Sequence, residues 1–230
     1  MKWNETAPKV KWNNAIINKE QKENVVKRIV DKVKDGDVIG MGTGSTSYLA
    51  TLAIAEKIKN ENLNVLAIPA AYEIEMLCRD LGIPVTNLVQ NKPDWGYDGA
   101  DEVSPEKWLI KGRGGGLFKE KLIMASSPIT YILVDESKFV NNLCEKFPIP
   151  VECTQESINL VSEKLHEMGA SSIEMRLAGG KDGPVITEKG NLLLDVIFVE
   201  VNESLESALK EIPGVIETGL FMNYNIEVLS

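Results

Sequence analysis

Apolar residues recur at helical spacing from Glu20 to Val33, where Val25, Val26, Ile29, Val30 and Val33 share one side, and Asp35-Gly36-Asp37 ends the run. Val38 to Met41 reads as a short apolar strand, and Leu49, Leu52, Ala53 and Ile58 mark one side of a second helix. The alternation continues with strand Val65 to Ile68, helix Tyr72 to Asp80 stopped by Gly82, strand Ile83 to Leu88, a central helix, and strand Thr130 to Val134. Strands that alternate with helices predict a parallel sheet whose ligands bind at the carboxyl ends of the strands. Beyond Phe147-Pro148-Ile149-Pro150 the rhythm changes. Strand Ile149 to Cys153, helix Ser157 to Met168, strand Ser172 to Leu177, strands Val185 to Thr187 and Leu192 to Phe198, helix Ser204 to Ile212 and strand Val215 to Leu220 approximate a β-α-β-β-α-β order. The expected architecture is α/β, a Rossmann-like parallel-sheet domain over residues 1–146 plus 218–230, with a smaller ferredoxin-like α+β domain over residues 147–217.

Four polar stretches interrupt this pattern where strands end or helices begin. Lys111-Gly112-Arg113-Gly114-Gly115-Gly116 cannot be there to build core, because glycines cost backbone entropy on ordering and pack no side chain. Their backbone can turn successive N–H groups toward one anion, and the loop opens into a helix whose first N–H groups are unpaired. Within that helix Glu120 shares a face with Leu117, Ile123 and Met124. A carboxylate held along an apolar stripe is suited to accepting and returning a proton. Taken alone it reads more simply as a partner of the positive helix end, with Lys119 and Lys121 as solvated neighbours. Gly42-Thr43-Gly44-Ser45-Thr46-Ser47 follows a strand and opens a helix, but Ser47 stands where a dinucleotide fingerprint needs its third glycine, and the next strand ends in Pro69 without an acidic partner for a ribose. Its hydroxyls suit the oxygens of one phosphate or sugar, or simply cap the helix. Asp98-Gly99-Ala100-Asp101-Glu102 sets three carboxylates around a turn, either as separate solvated acids or as a repelling cluster. Asp135-Glu136-Ser137-Lys138 ends another strand, and Lys138 is either a surface lysine or a cation directed at the ligand.

Charge and composition narrow the chemistry. With 25 basic and 34 acidic side chains among 230 residues, the net charge is -9, which argues against nucleic acid or an anionic membrane as the main partner. Cys78, Cys144 and Cys153 are scattered, without the spacing of a disulfide framework or a zinc knuckle, so a cytoplasmic home is expected. Residues 1–18 lack the apolar stretch of a signal peptide, and no run approaches the length of a membrane span. His166 is the only histidine and reads as a solvated side chain near a helix end, so a Ser-His pair or a histidine metal site is not expected.

In order and spacing, Gly42-Thr43-Gly44-Ser45-Thr46, Asp98-Gly99-Ala100-Asp101-Glu102, the Lys111 glycine loop leading to Glu120-Lys121, and Asp135-Glu136-Ser137-Lys138 resemble the A-type ribose-5-phosphate isomerases. The similarity continues through Gly183-Pro184-Val185-Ile186-Thr187, Leu194-Asp195 and Ile212-Pro213-Gly214-Val215 to Gly219-Leu220-Phe221, and covers nearly everything after Lys22. It implies interconversion of D-ribose 5-phosphate and D-ribulose 5-phosphate, no cofactor or metal, and a homodimer or homotetramer. It also implies a general-base role for Glu120, catalytic roles for Asp98, Asp101 and Lys111, and substrate contacts from Thr43, Gly44, Ser45, Thr46, Asp98, Gly99, Ala100, Asp101, Lys111, Gly112, Arg113, Gly114 and Lys138, with Lys22 near the phosphate. Arg113 and Phe118-Lys119 depart from the small-residue loop and Thr-Arg pair usual in that family. An isomerase or deaminase of another phosphorylated sugar is one alternative. A sugar-phosphate sensor is another, although no basic helix-turn-helix precedes the domain.

Overall fold

The computed structural model describes residues 6–230. In chain order its first elements are α1 (Lys19–Val30), β1 (Val38–Met41), α2 (Gly44–Glu61), β2 (Leu66–Pro69), α3 (Tyr72–Leu81), β3 (Trp95–Asp98), β4 (Glu102–Val103), β5 (Leu109–Ile110) and α4 (Leu117–Ser126). They are followed by β6 (Thr130–Leu133), β7 (Ile149–Cys153), α5 (Ile158–Glu167), β8 (Ala170–Met175), β9 (Leu192–Phe198), α6 (Leu205–Lys210), β10 (Val215–Thr218), β11 (Leu220–Phe221) and β12 (Ile226–Leu229).

The described residues form two compact units, one of residues 6–99, 122–137 and 225–230, the other of residues 100–121 and 138–224. The second unit thus includes residues 100–121, 138–146 and 218–224, which the sequence-based division assigns to the first domain. In the first unit, five parallel strands lie in the order β12-β6-β3-β1-β2. Burial on both faces explains the continuous apolar run Val38-Ile39-Gly40-Met41. Gly40 is required there, because a Cβ would lie 2.4 Å from Ile123 Cγ2. The carboxyl ends of the adjacent strands β6, β3 and β1 carry three of the four polar stretches: Asp135 onward, Asp98-Gly99, and Gly42 to Ser47.

In the second unit an antiparallel sheet, β10-β7-β9-β8, carries α5 and α6 in the β-α-β-β-α-β order of a ferredoxin-like fold. Ile149, Val151, Val161, Leu165, Val196 and Leu209 are buried in its core. A second small sheet, β11-β5-β4, belongs to this unit too.

Several local expectations change. Ile83 to Leu88 makes only one bridge, Ala67 to Val85, and Val185 to Thr187 lies among isolated bridges rather than in a strand. The buried residues of α2 are Thr46, Ser47, Ala50, Thr51, Ile54 and Ala55, whereas Leu49, Leu52, Ala53 and Ile58 are only half-buried. Small residues let the helix approach the sheet, and the Thr51 and Tyr97 hydroxyls meet at 2.7 Å. Val215 to Leu220 divides between two sheets at Gly219, where a Cβ would lie 2.4 Å from both the Lys111 carbonyl oxygen and Pro150 Cδ.

Candidate active site

The first unit assembles a loop, a lysine and two carboxylates. Gly42 follows β1 so close to β3 that a Cβ would sit 2.2 Å from the Asp98 carboxyl group. Asp98 is buried, and its Oδ1 accepts the N–H groups of Thr43 at 3.0 Å and Gly99 at 2.8 Å. This carboxylate therefore fixes the glycine-threonine turn. Thr43 caps α2 without a side-chain hydrogen bond to the helix, and Gly44 reaches φ +84, so simple hydroxyl capping by Thr43 does not explain the sequence. The arrangement presents the Thr43 to Thr46 segment at the amino end of an 18-residue helix, a setting that favours anions.

Lys22 joins this group from α1. It is buried, its Nζ donates to Ser45 Oγ at 3.1 Å, and it lies 3.7 Å from Asp135 Oδ2. Asp135 in turn accepts Asn18 Nδ2 at 2.9 Å, the Ser137 N–H at 3.1 Å, and the Ser137 hydroxyl. Burial pushes the Asp135 carboxyl up, but Ser137, Asn18 and Lys22 outweigh it and hold the group below the usual carboxylate range.

We expect Gly42→Ala to lower stability by about 1–3 kcal/mol through overpacking and to raise KM as Asp98 releases the turn. Denaturant unfolding and steady-state kinetics check this. Parent-like values on both would mean that the turn does not need its close approach.

The second unit holds Glu120, Lys111 and Asp101. Glu120 is buried on the α4 face that also carries Leu117, Ile123 and Met124, all buried, as the spacing predicts. Lys111 is buried as well, and its Nζ stands 3.1 Å from Glu120 Oε2. An isolated buried carboxylate would be costly, and the ammonium beside it offsets that cost. The Lys111 N–H donates to Gly219 O at 2.9 Å, and its Nζ lies 5.5 Å from the Phe221 ring centre. Asp101 is half-buried, and its Oδ2 accepts the Arg113 N–H at 3.3 Å. Burial raises the Asp101 carboxyl above its ordinary value, against the pull of the Lys111 and Lys138 ammonium groups and the Arg113 N–H; the Glu120 charge raises it further. Lys138 is half-buried, with Nζ 5.0 Å from the Phe147 ring centre, and is not a fully solvated surface lysine.

The three acids of residues 98–102 are neither solvated nor one cluster, since each has partners of its own. Glu102 is fully buried and accepts the N–H groups of Cys144, Lys146 and Phe147, so its work is structural. Lys121 also departs from expectation. It is buried instead of solvated, donating to Glu206 at 2.6 Å, Glu217 at 2.9 Å and Leu220 O at 2.6 Å. Arg113 points its side chain to solvent, while its backbone serves the loop. His166 is exposed, and the three cysteines are unpaired. Among the described residues no group of three or more His, Cys, Asp or Glu is suited to a metal, and no helix is long and apolar enough to cross a membrane.

A buried carboxylate next to an ammonium, with a second carboxyl group raised by burial above its ordinary value, can move protons on carbon and oxygen. Comparison with known proteins points the same way. The family profile of ribose 5-phosphate isomerase A (phosphoriboisomerase A) matches residues 66–230. Ribose-5-phosphate isomerase A of Methanothermobacter thermautotrophicus is 42% identical over 196 residues, covering 84% of this chain and 86% of that protein. The solved structure of ribose 5-phosphate isomerase A from Methanocaldococcus jannaschii superposes with a TM-score of 0.89 at 41% identity, covering 93% of this chain and 96% of the other. Ribose 5-phosphate isomerase from Plasmodium falciparum gives a TM-score of 0.83 at 32% identity, covering 91% and 94%. The fold, the ordered polar stretches and these likenesses together establish that the chain belongs to the ribose 5-phosphate isomerase A family.

Proposed function

We propose that this protein interconverts D-ribose 5-phosphate and D-ribulose 5-phosphate by proton transfer, with Glu120 as the base. The observation that carries this reading is the buried Glu120 carboxylate 3.1 Å from the Lys111 ammonium. In the open-chain aldose, Glu120 takes the proton from C2, and the C–H electrons form the C1–C2 double bond of an enediolate while charge moves onto O1. Lys111 and loop N–H groups stabilise that oxygen, a kind of contribution worth about 2.7–4 kcal/mol per donor elsewhere. Glu120 then returns the proton to C1, and a proton passes from O2 to O1, leaving the ketose.

Asp101, whose burial favours its protonated form, is assigned the oxygen-to-oxygen proton transfer and ring opening. Asp98, Gly99 and Ala100 are assigned to the sugar hydroxyls, with Asp98 also fixing the turn through Oδ1. Thr43 to Thr46 and Lys22 are assigned to the phosphate, as the α2 amino end and the Lys22 to Ser45 bond support. Gly112, Arg113 and Gly114 contribute backbone groups, and Lys138 completes the cationic surroundings of Asp101. Phosphate binding holds a small substrate so that its reacting carbons can be aligned.

The protein is proposed to be cytoplasmic and to form a homodimer or homotetramer; exposed Leu177, Ile197 and Val199 support association, which light scattering measures directly. A single solution mass equal to one chain would remove the oligomer. For the function itself, purified and chelator-treated protein is expected to convert ribose 5-phosphate to ribulose 5-phosphate, and to prefer it over other pentose and tetrose phosphates. Binding without turnover would contradict the assignment in favour of a sensor.

A further inference from the structure

The glycine loop is held from behind by a residue that the proposed chemistry does not use. Arg176 follows β8, and its Nη1 donates to Gly112 O at 2.8 Å and to Arg113 O at 2.9 Å. Asp195 of β9 holds its other edge: Nε reaches Oδ2 at 2.9 Å, and Nη2 pairs with Oδ1. This two-pronged pair fixes the plane of the guanidinium, which a lysine ammonium could not reproduce.

The consequence follows from peptide geometry. In a planar trans peptide the carbonyl of one residue and the N–H of the next point in opposite directions. Drawing the Gly112 and Arg113 carbonyls to one guanidinium therefore turns the N–H groups of Arg113 and Gly114 to the other side. The Arg113 N–H does go there, to Asp101 Oδ2 at 3.3 Å. Without this restraint the loop, with Gly112 at φ +93 and Gly115 at φ +88, has many other conformations to visit.

We infer that Arg176, anchored by Asp195, is a positioning residue that holds the Arg113 N–H on Asp101 and aims the Gly114 N–H at the developing oxyanion. The inference rests on the proposed isomerase reading, in which this loop serves the reacting oxygens.

Arg176→Ala and Arg176→Lys are to be assayed beside the parent for kcat, KM and thermal midpoint with ribose 5-phosphate. Arg176→Ala should lose kcat about 10- to 100-fold through misplacement of the loop, with KM moving far less. Arg176→Lys should recover only part of the loss. Guanidinium chloride, kept well below denaturing concentrations, should raise the kcat of Arg176→Ala where sodium chloride of equal ionic strength does not. A parent-like kcat in Arg176→Ala, or a loss that guanidinium leaves untouched, overturns the inference. If Arg176→Ala does not fold, Arg176→Lys decides, and a parent-like kcat there overturns it. Glu120→Gln separates the two levels: an active Glu120→Gln removes the underlying reading, whereas an inactive one beside a fully active Arg176→Ala removes only the role of Arg176.

Discussion

Replacing Glu120 by Gln is expected to lower kcat by about 10²- to 10⁴-fold, the usual worth of a positioned general base, while substrate binding survives. The amide keeps the size and shape of the side chain but cannot accept the proton from C2. Its setting makes the change informative. Leu117, Ile123 and Met124 on the same helix face are all buried with it. Lys111 loses its carboxylate partner at 3.1 Å, and its ammonium remains to attract an anionic sugar. Binding of ribose 5-phosphate, followed by calorimetry, should therefore stay near the parent value or tighten. Equal losses of binding and turnover would assign Glu120 to substrate anchoring instead.

The largest expected effect on stability comes from the neighbouring residue. Lys121→Met takes the ammonium from the buried Glu217 and the half-buried Glu206, and breaking a buried pair typically costs about 3–5 kcal/mol. The lower end is expected, because Lys210 still lies 2.9 Å from Glu217. A loss of about 3 kcal/mol corresponds to a fall of roughly 6–12 °C in midpoint for a chain of this size. The pH dependence gives a second signature. Burial pushes the Glu217 carboxyl up, but Lys121, Lys210 and the Thr218 N–H outweigh it and hold it below its ordinary 4.5. A depressed carboxylate contributes stability that is complete above its unfolded value and is lost as pH falls through its folded value. Parent stability should therefore decline as the solution is acidified below about pH 4.5, and Lys121→Met should flatten that part of the profile. A parent-like midpoint in Lys121→Met would show that Glu206 and Glu217 find adequate partners elsewhere.

These two neighbours illustrate what a sequence can and cannot reveal. Glu120 was legible because its environment is local: helical spacing alone places it with Leu117, Ile123 and Met124. Lys121 was not, since its partners lie 85, 96 and 99 positions away and belong to a helix and two strands whose mutual placement no periodicity encodes. Arg176 was missed for the same reason, 64 positions from the Gly112 carbonyl it holds. Strand β7, helix α5 and the alternating first unit were readable from runs of adequate length. Strands β4, β5 and β11 have two residues each, too short to display any alternation. The α2 face was misassigned because large apolar residues outweigh small ones in a pattern, whereas close approach of a helix to a sheet favours Ala50, Thr51 and Ala55. The glycines were legible as a class, but their separate reasons were not: Gly42 makes room for Asp98, Gly219 makes room for Lys111 and Pro150, and Gly112 supplies a positive φ.

The most direct test of proton transfer through a protein base is isomerisation of ribose 5-phosphate in deuterium oxide, with the ketose examined at C1. The carboxyl proton on Glu120 exchanges with solvent while the enediolate persists, so the account predicts deuterium at C1 from the parent protein and negligible labelled product from Glu120→Gln. Ketose formed at the parent rate with no deuterium at C1 would indicate hydrogen passing directly between the carbons, and would contradict the account.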